Sequence, residues 1–504
     1  MQIKPDAAVF AKAYARGDAQ VVWTTLVADL ETPVSAFLKV AGGKPMSFLL
    51  ESVEGGAVRG RYSIIGLEPD LVWSARGDAS EINSGAANGK RVTACDQPPL
   101  QALRQLVADS RIELPEELPP MAAGVFGYLG YDVVRQMEEL PSPNPDPIGI
   151  PDAIMVRPTI VIVFDSVLDT ITVVTPVRPS PNMNADIALA RAVERLTAIV
   201  DALERPLAKQ AGTALEGPLV QAPVSNTSPE EFRRMVLKGK DYIAAGDVFQ
   251  VVLAQRFEAP FTLPPFALYR ALRRVNPAPF LFFLDYGAFA VAGSSPEILV
   301  RARGDVVTIR PLAGTRARGA TPHEDKALEE ELLADPKERA EHLMLLDLGR
   351  NDVGRVAQIG TVTVTDQFFV ERFSQVMHIV SNVEGKLDKR HDALDALAAG
   401  FPAGTVSGAP KVRAMEIIDE LEKEKRGIYA GCVGYFSAAG DLDSCIVLRT
   451  ALVKDGKMYV QAGAGIVADS DPAAEQQECV NKAKALFRAA EEARRFASSA
   501  ERGQ

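Results

Sequence analysis

Seven strand-like segments between residues 249 and 467 follow one another in runs, with helices grouped between them instead of one after each strand. That order excludes a doubly wound parallel sheet, which needs strict strand–helix alternation. Segments 249–257, 279–300, 306–309, 362–369, 432–436, 444–453 and 457–467 are rich in β-branched, aromatic and other apolar residues. Asp285-Tyr286-Gly287, Gly304-Asp305 and Asp455-Gly456 supply hairpin turns among them. Helices are predicted at 229–245, 323–349, 410–424 and 473–497. The class is α+β with large antiparallel sheets.

Upstream, 57–74, 124–134 and 153–177 read as strands among a few helices, giving a first α+β domain over 1–205. At 206–227 the pattern dissolves into Pro206, Gly212-Thr213, Gly217-Pro218 and Pro223, a linker. Ser228-Pro229-Glu230-Glu231 restarts order as a capping box and opens a second domain over 228–504. No internal repeat of 20 to 50 residues is present.

With 504 residues, 47% hydrophobic and 24% charged, the chain has ample core for such domains. Its formal charge of −11 argues against nucleic acid or an anionic membrane as main partner, so an anionic ligand must be held by local cations. Cys95, Cys432, Cys445 and Cys479 lack CxxC spacing and suit a reduced compartment. The N-terminus has no apolar signal region and no apolar run reaches the ~18 residues of a span, so a cytoplasmic protein is expected.

Two glutamate pairs stand out. In Asp335-Pro336-Lys337-Glu338-Arg339-Ala340-Glu341-His342, Asp335 reads as an N-cap and Glu338 as the third position of a capping box, with Glu341 one turn on. Glu475, Glu478 and Lys482 form one stripe of the C-terminal helix. Four carboxylates without a cysteine cluster favour Mg²⁺ over Zn²⁺; capping and solvation are the plainer alternative. A di-iron bundle needs Glu-x-x-His, and Arg339 stands three residues before His342.

Two glycine-rich stretches imitate nucleotide loops. The stretch from Gly463 to Ala468 fits a relaxed dinucleotide fingerprint, but one following helix leaves no second parallel strand. In Gly404-Thr405-Val406-Ser407-Gly408-Ala409-Pro410-Lys411 the glycines are spaced wrongly for a P-loop and Val412 replaces the metal-binding hydroxyl. Each is an anion cradle or a tight turn.

Pro311-Leu312-Ala313-Gly314-Thr315, the run 338–352 (ERAEHLMLLDLGRND), the run 404–415 (GTVSGAPKVRAM), Gly434-Tyr435-Phe436, the run 461–465 (QAGAG) and 475–482 resemble, in order, the chorismate-binding enzyme family, most closely its anthranilate synthase large subunits. The resemblance covers the whole chain. It implies two orthogonally packed antiparallel β-sheets with helices outside and the site in the cleft. Members that add water to chorismate resemble one another in a lysine base where this chain has Gln250, and an amide cannot deprotonate water. Members that make aminodeoxychorismate carry a nucleophilic lysine where this chain has Ala313. The pair implies ammonia as nucleophile, attack at C2, and loss of pyruvate to give anthranilate, with an aminodeoxychorismate synthase large subunit or a silent tryptophan-sensing module as alternatives.

The resemblance further implies Mg²⁺ on Glu341 and Glu478, with Glu338 and Glu475 supporting. It places chorismate against Gly314, Thr315, Tyr429, Arg449, Gly463, Ala464, Gly465, Lys482 and Thr405. Glu297 corresponds to the general acid at the departing C4 hydroxyl, and His378 to the site histidine; His323, His342 and His391 read as surface or packing residues. Leu49-Leu50-Glu51-Ser52, Ser63 and the run Asn276, Pro279, Phe280, Leu281 are similar to a tryptophan feedback pocket, with Phe280-Leu281 departing from the family's usual Tyr-Met. No Gly-x-Cys-x-Gly elbow is present. A separate glutamine amidotransferase subunit is therefore expected, in a heterotetramer of two large and two small chains.

Overall fold

The computed structural model describes residues 1–54, 58–85, 91–207, 222–373 and 376–496. All its strand pairs are antiparallel, and they form two rows that join. One row runs Ala79–Ser84, Val58–Arg76, Ser47–Glu54, Phe280–Asp285, Ala290–Ser295, Thr450–Lys454, Lys457–Ile466, Gln250–Pro260. The other runs Gln20–Val27, Thr170–Val177, Ala153–Asp165, Gly124–Leu129, Cys432–Ser437, Leu442–Ile446, Ile298–Arg303, Val306–Ile309, Val376–Lys386. The strand Val58–Arg76 pairs with Ala153–Asp165 and connects the rows. The α+β class with large antiparallel sheets holds, as one continuous hydrogen-bonded network.

Strands from the first 205 residues alternate in these rows with strands beyond 228. Ser47–Glu54 lies against Phe280–Asp285, and Gly124–Leu129 against Cys432–Ser437. The expected linker falls largely on 208–221, outside the described residues. Its far end is already ordered, because Val224–Ser225 pairs with Phe257 and Glu258.

Three expected elements divide at residues that explain the division. The single helix predicted at 323–349 is two, Pro322–Ala334 and Pro336–Gly354. Pro336 supplies no N–H and disfavours a helical Asp335, whose side chain instead caps the second helix through Lys337 N and Glu338 N. The expected reciprocal bond from Glu338 is not made; its carboxylate goes to Arg316 (3.1 Å). Strand 444–453 breaks at Arg449, held at φ +48°, a left-handed conformation uncommon outside glycine. Strand 279–300 folds into Phe280–Asp285, Ala290–Ser295 and the start of Ile298–Arg303.

The helices pack as their apolar periods dictate. In Pro229–Ala244, Phe232, Met235, Val236 and Gly239 are buried at one-turn spacing, and Ser228 with Glu231 closes the expected capping box. The C-terminal helix Pro472–Glu492 buries Cys479, Ala483, Leu486 and Phe487 and shares a core with the helix Pro265–Val275. The outer side of its first turns is left to Glu475, Glu478 and Lys482. No described helix is long and apolar enough to cross a membrane.

Candidate active site

Two strand pairings assemble the floor of the cleft. Gln250–Pro260 lies against Lys457–Ile466 with Val252 opposite Gly465, Leu253 opposite Ala464 and Ala254 opposite Gly463. Leu312–Ala317 lies against Val376–Lys386 with Thr315 opposite His378. Close approach calls for glycine at 463, where a Cβ would stand 2.9 Å from the Leu253 carbonyl, and seats Gly465 against the Gln250 amide. A Cβ on Gly465 would stand 2.4 Å from Gln250 Nε2, and one on Gly463 would stand 2.9 Å from the Tyr429 hydroxyl. Gly314 has φ +75° and brings its backbone beside Glu338 Oε2.

Glu297 is a buried acidic group of the site, 5% exposed. Thr405 Oγ1 donates to its Oε1 at 3.0 Å. Burial raises its pKa to about 8, against the lowering effects of the Thr405 hydroxyl, the Leu312 N–H and the Arg449 charge. Glu297 and Thr405 line a small pocket with Leu345, Leu348 and Asp352 of the Pro336–Gly354 helix. Arg449 faces Glu297, and burial lowers its own pKa.

His378 is fixed in one tautomer by its neighbours. Its Nδ1 lies 3.1 Å from the Gly314 carbonyl, which can only accept, and 3.0 Å from Thr315 Oγ1, so Nδ1 carries the hydrogen. Nε2 then presents a lone pair, and it is buried without a partner. Burial, with the charges of Arg449 and Lys482, lowers the pKa to about 4. The ring is neutral at physiological pH.

The four glutamates lie toward solvent from these groups. Glu341 is half-buried, and its carboxyl is pushed up first by burial and then by Glu338; the Gln250 amide donates to it at 3.4 Å, and Glu478 repels it. Burial and Glu478 raise Glu475 in the same direction. Glu338 is tied to Arg316, and Glu478 to Lys482 (2.7 Å), whose ammonium also donates to the Gly463 carbonyl at 2.9 Å. Among the described residues no three His, Cys, Asp or Glu side chains are close enough together to hold a metal ion. The carboxylates therefore share one electrostatic neighbourhood without forming a closed cage.

The segments assigned to tryptophan also meet: Phe280 stands opposite Ser52 and Leu281 opposite Glu51 in adjacent strands, with Ser63 opposite Glu51 on the other side. Successive residues of a strand face opposite sides, so Glu51 and Ser52 cannot line the same face. Glu51 is buried and committed, accepting from Arg273 (2.7 and 2.9 Å) and the Tyr269 hydroxyl (2.5 Å). The resemblance implied Glu51 among the residues of a tryptophan pocket; here its carboxylate is engaged by Arg273 and Tyr269. Asn276 Nδ2, by contrast, is a buried donor without a partner; Pro279 is half-buried beside it in sequence.

His342 is a packing residue as expected, buried with Nε2 2.7 Å from Ser381 Oγ. Lys411, at the supposed anion cradle, is spent on Asp352 at 2.9 Å in a buried pair. Sequence reasoning missed Arg426 and Glu422, which form a second buried pair behind the site. An Arg four residues after a Glu at a helix end looks like a solvated surface pair.

Residues 62–488 match the chorismate binding enzyme family. The chain is 56% identical over 497 residues to anthranilate synthase component 1 of Cereibacter sphaeroides, covering 98% of this chain and 99% of that one. It is 47% identical over 468 residues to anthranilate synthase component 1 of Pseudomonas putida, covering 92% and 93%. Its structure resembles anthranilate synthase component I from Streptococcus pneumoniae, with a TM-score of 0.73, 37% identity and coverage of 92% and 98%. The menaquinone-specific isochorismate synthase of Escherichia coli, at 21% identity and TM-score 0.69 over 96% of this chain and 100% of that one, shares the fold. Near full-length identity of this order, with the cleft described above, shows that the chain belongs to the chorismate-binding enzyme family, in the group formed by anthranilate synthase component 1 proteins.

Proposed function

We infer that the chain converts chorismate and ammonia to anthranilate and pyruvate, as the large subunit of an anthranilate synthase in tryptophan biosynthesis. The observation that carries this reading is Gln250, 3% exposed, lying on Gly465 and reaching Glu341, where water-adding relatives would hold a lysine. No base stands there to activate water, whereas ammonia attacks without one. We read the two joined strand rows as the family's two facing sheets.

Glu297 is the proton donor to the departing C4 hydroxyl, held neutral by burial and aligned by Thr405. His378, with a free Nε2, accepts a proton during loss of pyruvate. Arg449, Lys482, Tyr429 and the glycines 463 and 465 with Ala464 hold the carboxylates and enolpyruvyl arm, and Gly314 with Thr315 borders the ring. The half-buried, mutually repelling Glu341, Glu338, Glu478 and Glu475 fit a divalent cation in charge. Mg²⁺ bound there would neutralise a chorismate carboxylate and polarise the ring. Glu478 and Glu338 would exchange Lys482 and Arg316 for the ion.

Ammonia is supplied by a separate amidotransferase subunit, since none of the four cysteines stands in a Gly-x-Cys-x-Gly elbow and burial raises the pKa of the Cys432, Cys445 and Cys479 thiols. The isolated chain should form anthranilate from chorismate, Mg²⁺ and ammonium but not from glutamine. Anthranilate fluorescence reads this directly, and glutamine-dependent turnover by the chain alone would refute it.

Tryptophan inhibits by binding at the Ser52–Phe280 edge, with Asn276 Nδ2 as a donor for its carboxylate. A Cβ on Gly60 would stand 2.2 Å from Ser52 Oγ, so the edge has no room for a larger side chain without displacement. Ser52→Phe should remove tryptophan inhibition while changing uninhibited kcat by no more than about 3-fold, because regulatory coupling of ~1 to 3 kcal/mol resides in differential binding. Retention of full inhibition would show that the pocket lies elsewhere.

A further inference from the structure

Arg426 is 3% exposed and its guanidinium makes four hydrogen bonds to three groups. Nε donates to Glu422 Oε2 at 2.9 Å and Nη2 to Glu422 Oε1 at 2.5 Å, while Nη1 donates to the Val406 carbonyl and Nη2 to the Val252 carbonyl, each at 2.7 Å. Tyr131 and Tyr429 lie under it with ring centroids 4.8 and 5.6 Å from Cζ. Glu422 is in turn anchored by the Ala254 N–H at 2.9 Å.

These anchors are not a random sample of the core. Val406 follows Thr405, the donor to Glu297. Val252 lies two residues after Gln250, and its own N–H donates to the Ser407 carbonyl at 2.9 Å, stitching the Thr405 loop to the floor strand. Tyr429 stands over Gly463, whose carbonyl holds Lys482. Three segments distant in sequence, each bearing a group that meets substrate, are thus referred to one guanidinium.

We propose that Arg426, oriented by Glu422, is a positioning residue that sets Thr405 and Tyr429 against Glu297 and bound chorismate. The inference rests on the assignment of Glu297 and Thr405 under the proposed function. A planar fork serves several acceptors at fixed angles and stacks on aromatic faces, which an ammonium cannot do. The carbonyl of Val406 is attached to the loop that carries the Thr405 hydroxyl, so loss of the fork displaces the donor without removing it.

The test uses the purified chain with chorismate, Mg²⁺ and ammonium. Arg426→Lys should lower kcat about 10- to 100-fold, the scale of a 1 Å misplacement. It should also move the alkaline limb of kcat upward, as Thr405→Val does, because each weakens a hydrogen bond that holds the Glu297 pKa down. Arg449, Arg310 and Asp352, the charged groups around Glu297, are unchanged in all variants. Placed on Thr405→Val, Arg426→Lys should cost clearly less than it does in the wild-type background, the remainder being its effect through Tyr429.

Where the lysine variant fails to fold, the paired Arg426→Gln, Glu422→Gln variant removes both buried charges together and is scored in the same way. A folded variant with kcat within about 2-fold of wild type, or losses that multiply with an unmoved limb, overturns the proposal. So does failure of both variants to fold, which would make the pair a folding determinant. If Thr405→Val itself leaves kcat and the limb unchanged, the assignment of Glu297 and Thr405 falls, and this proposal with it.

Discussion

Glu297→Gln is expected to lower kcat for anthranilate formation by about 10²- to 10⁴-fold, the range for loss of a positioned proton donor. The substitution keeps the volume, the neutral charge and the bond from Thr405, so chorismate KM should change little. The pH dependence carries a second signature. The acid must be protonated to act, and burial raises it to about 8. Wild-type kcat should therefore be full below that pH and fall as pH rises through it, whereas the residual activity of the variant should lack this limb. Near-normal turnover by Glu297→Gln, or an unchanged alkaline limb, would remove Glu297 from the chemistry.

The second large effect is expected at the carboxylates. Glu341→Gln should raise the Mg²⁺ concentration needed for half-maximal activity and lower turnover by roughly 10- to 100-fold while leaving thermal unfolding almost unchanged. Glu341 is the test of choice because its carboxyl faces both Glu338 and Glu478 and is buried enough to feel them. Glu478→Gln should act in the same direction, although it also frees Lys482. Activity of either variant at low Mg²⁺ equal to wild type would reduce these glutamates to surface charges.

Strands such as Gln250–Pro260 and the helices that open at Ser228 and Asp471 were legible in the sequence because their signals are local: apolar alternation, hairpin glycines, and caps such as Ser228 with Glu231; helices such as Pro33–Val40, Ala185–Glu204 and Pro265–Val275 were not predicted. The motifs of the site were legible for a different reason. Gly314 is required by backbone conformation and Gly463 by close approach, and such requirements fix residue type.

What sequence could not convey was commitment at long range. Arg426 binds backbone carbonyls at 252 and 406, and any residue offers a carbonyl, so its partners leave no trace in composition. The pairing of Glu51 with Arg273 was hidden in the same way, because the two stand more than two hundred positions apart. Breaks were missed where one residue overrides a pattern, as Pro336 does between two helices and Arg449 does at φ +48° within a run of apolar residues.

The interleaving of early and late strands has a consequence for how the chain comes into being. When residue 205 has been synthesised, Ser47–Glu54 and Gly124–Leu129 each still lack a neighbour, since those neighbours are Phe280–Asp285 and Cys432–Ser437. At synthesis rates of roughly 5 to 20 residues per second, the second of these edges stays open for tens of seconds. It is apolar and buried along its whole length in the finished protein, the kind of edge that recruits foreign strands. The nascent first half is therefore the stage most exposed to aggregation. Fragments ending near 205 should be found with chaperones or in inclusion bodies, while the completed chain closes both rows upon itself.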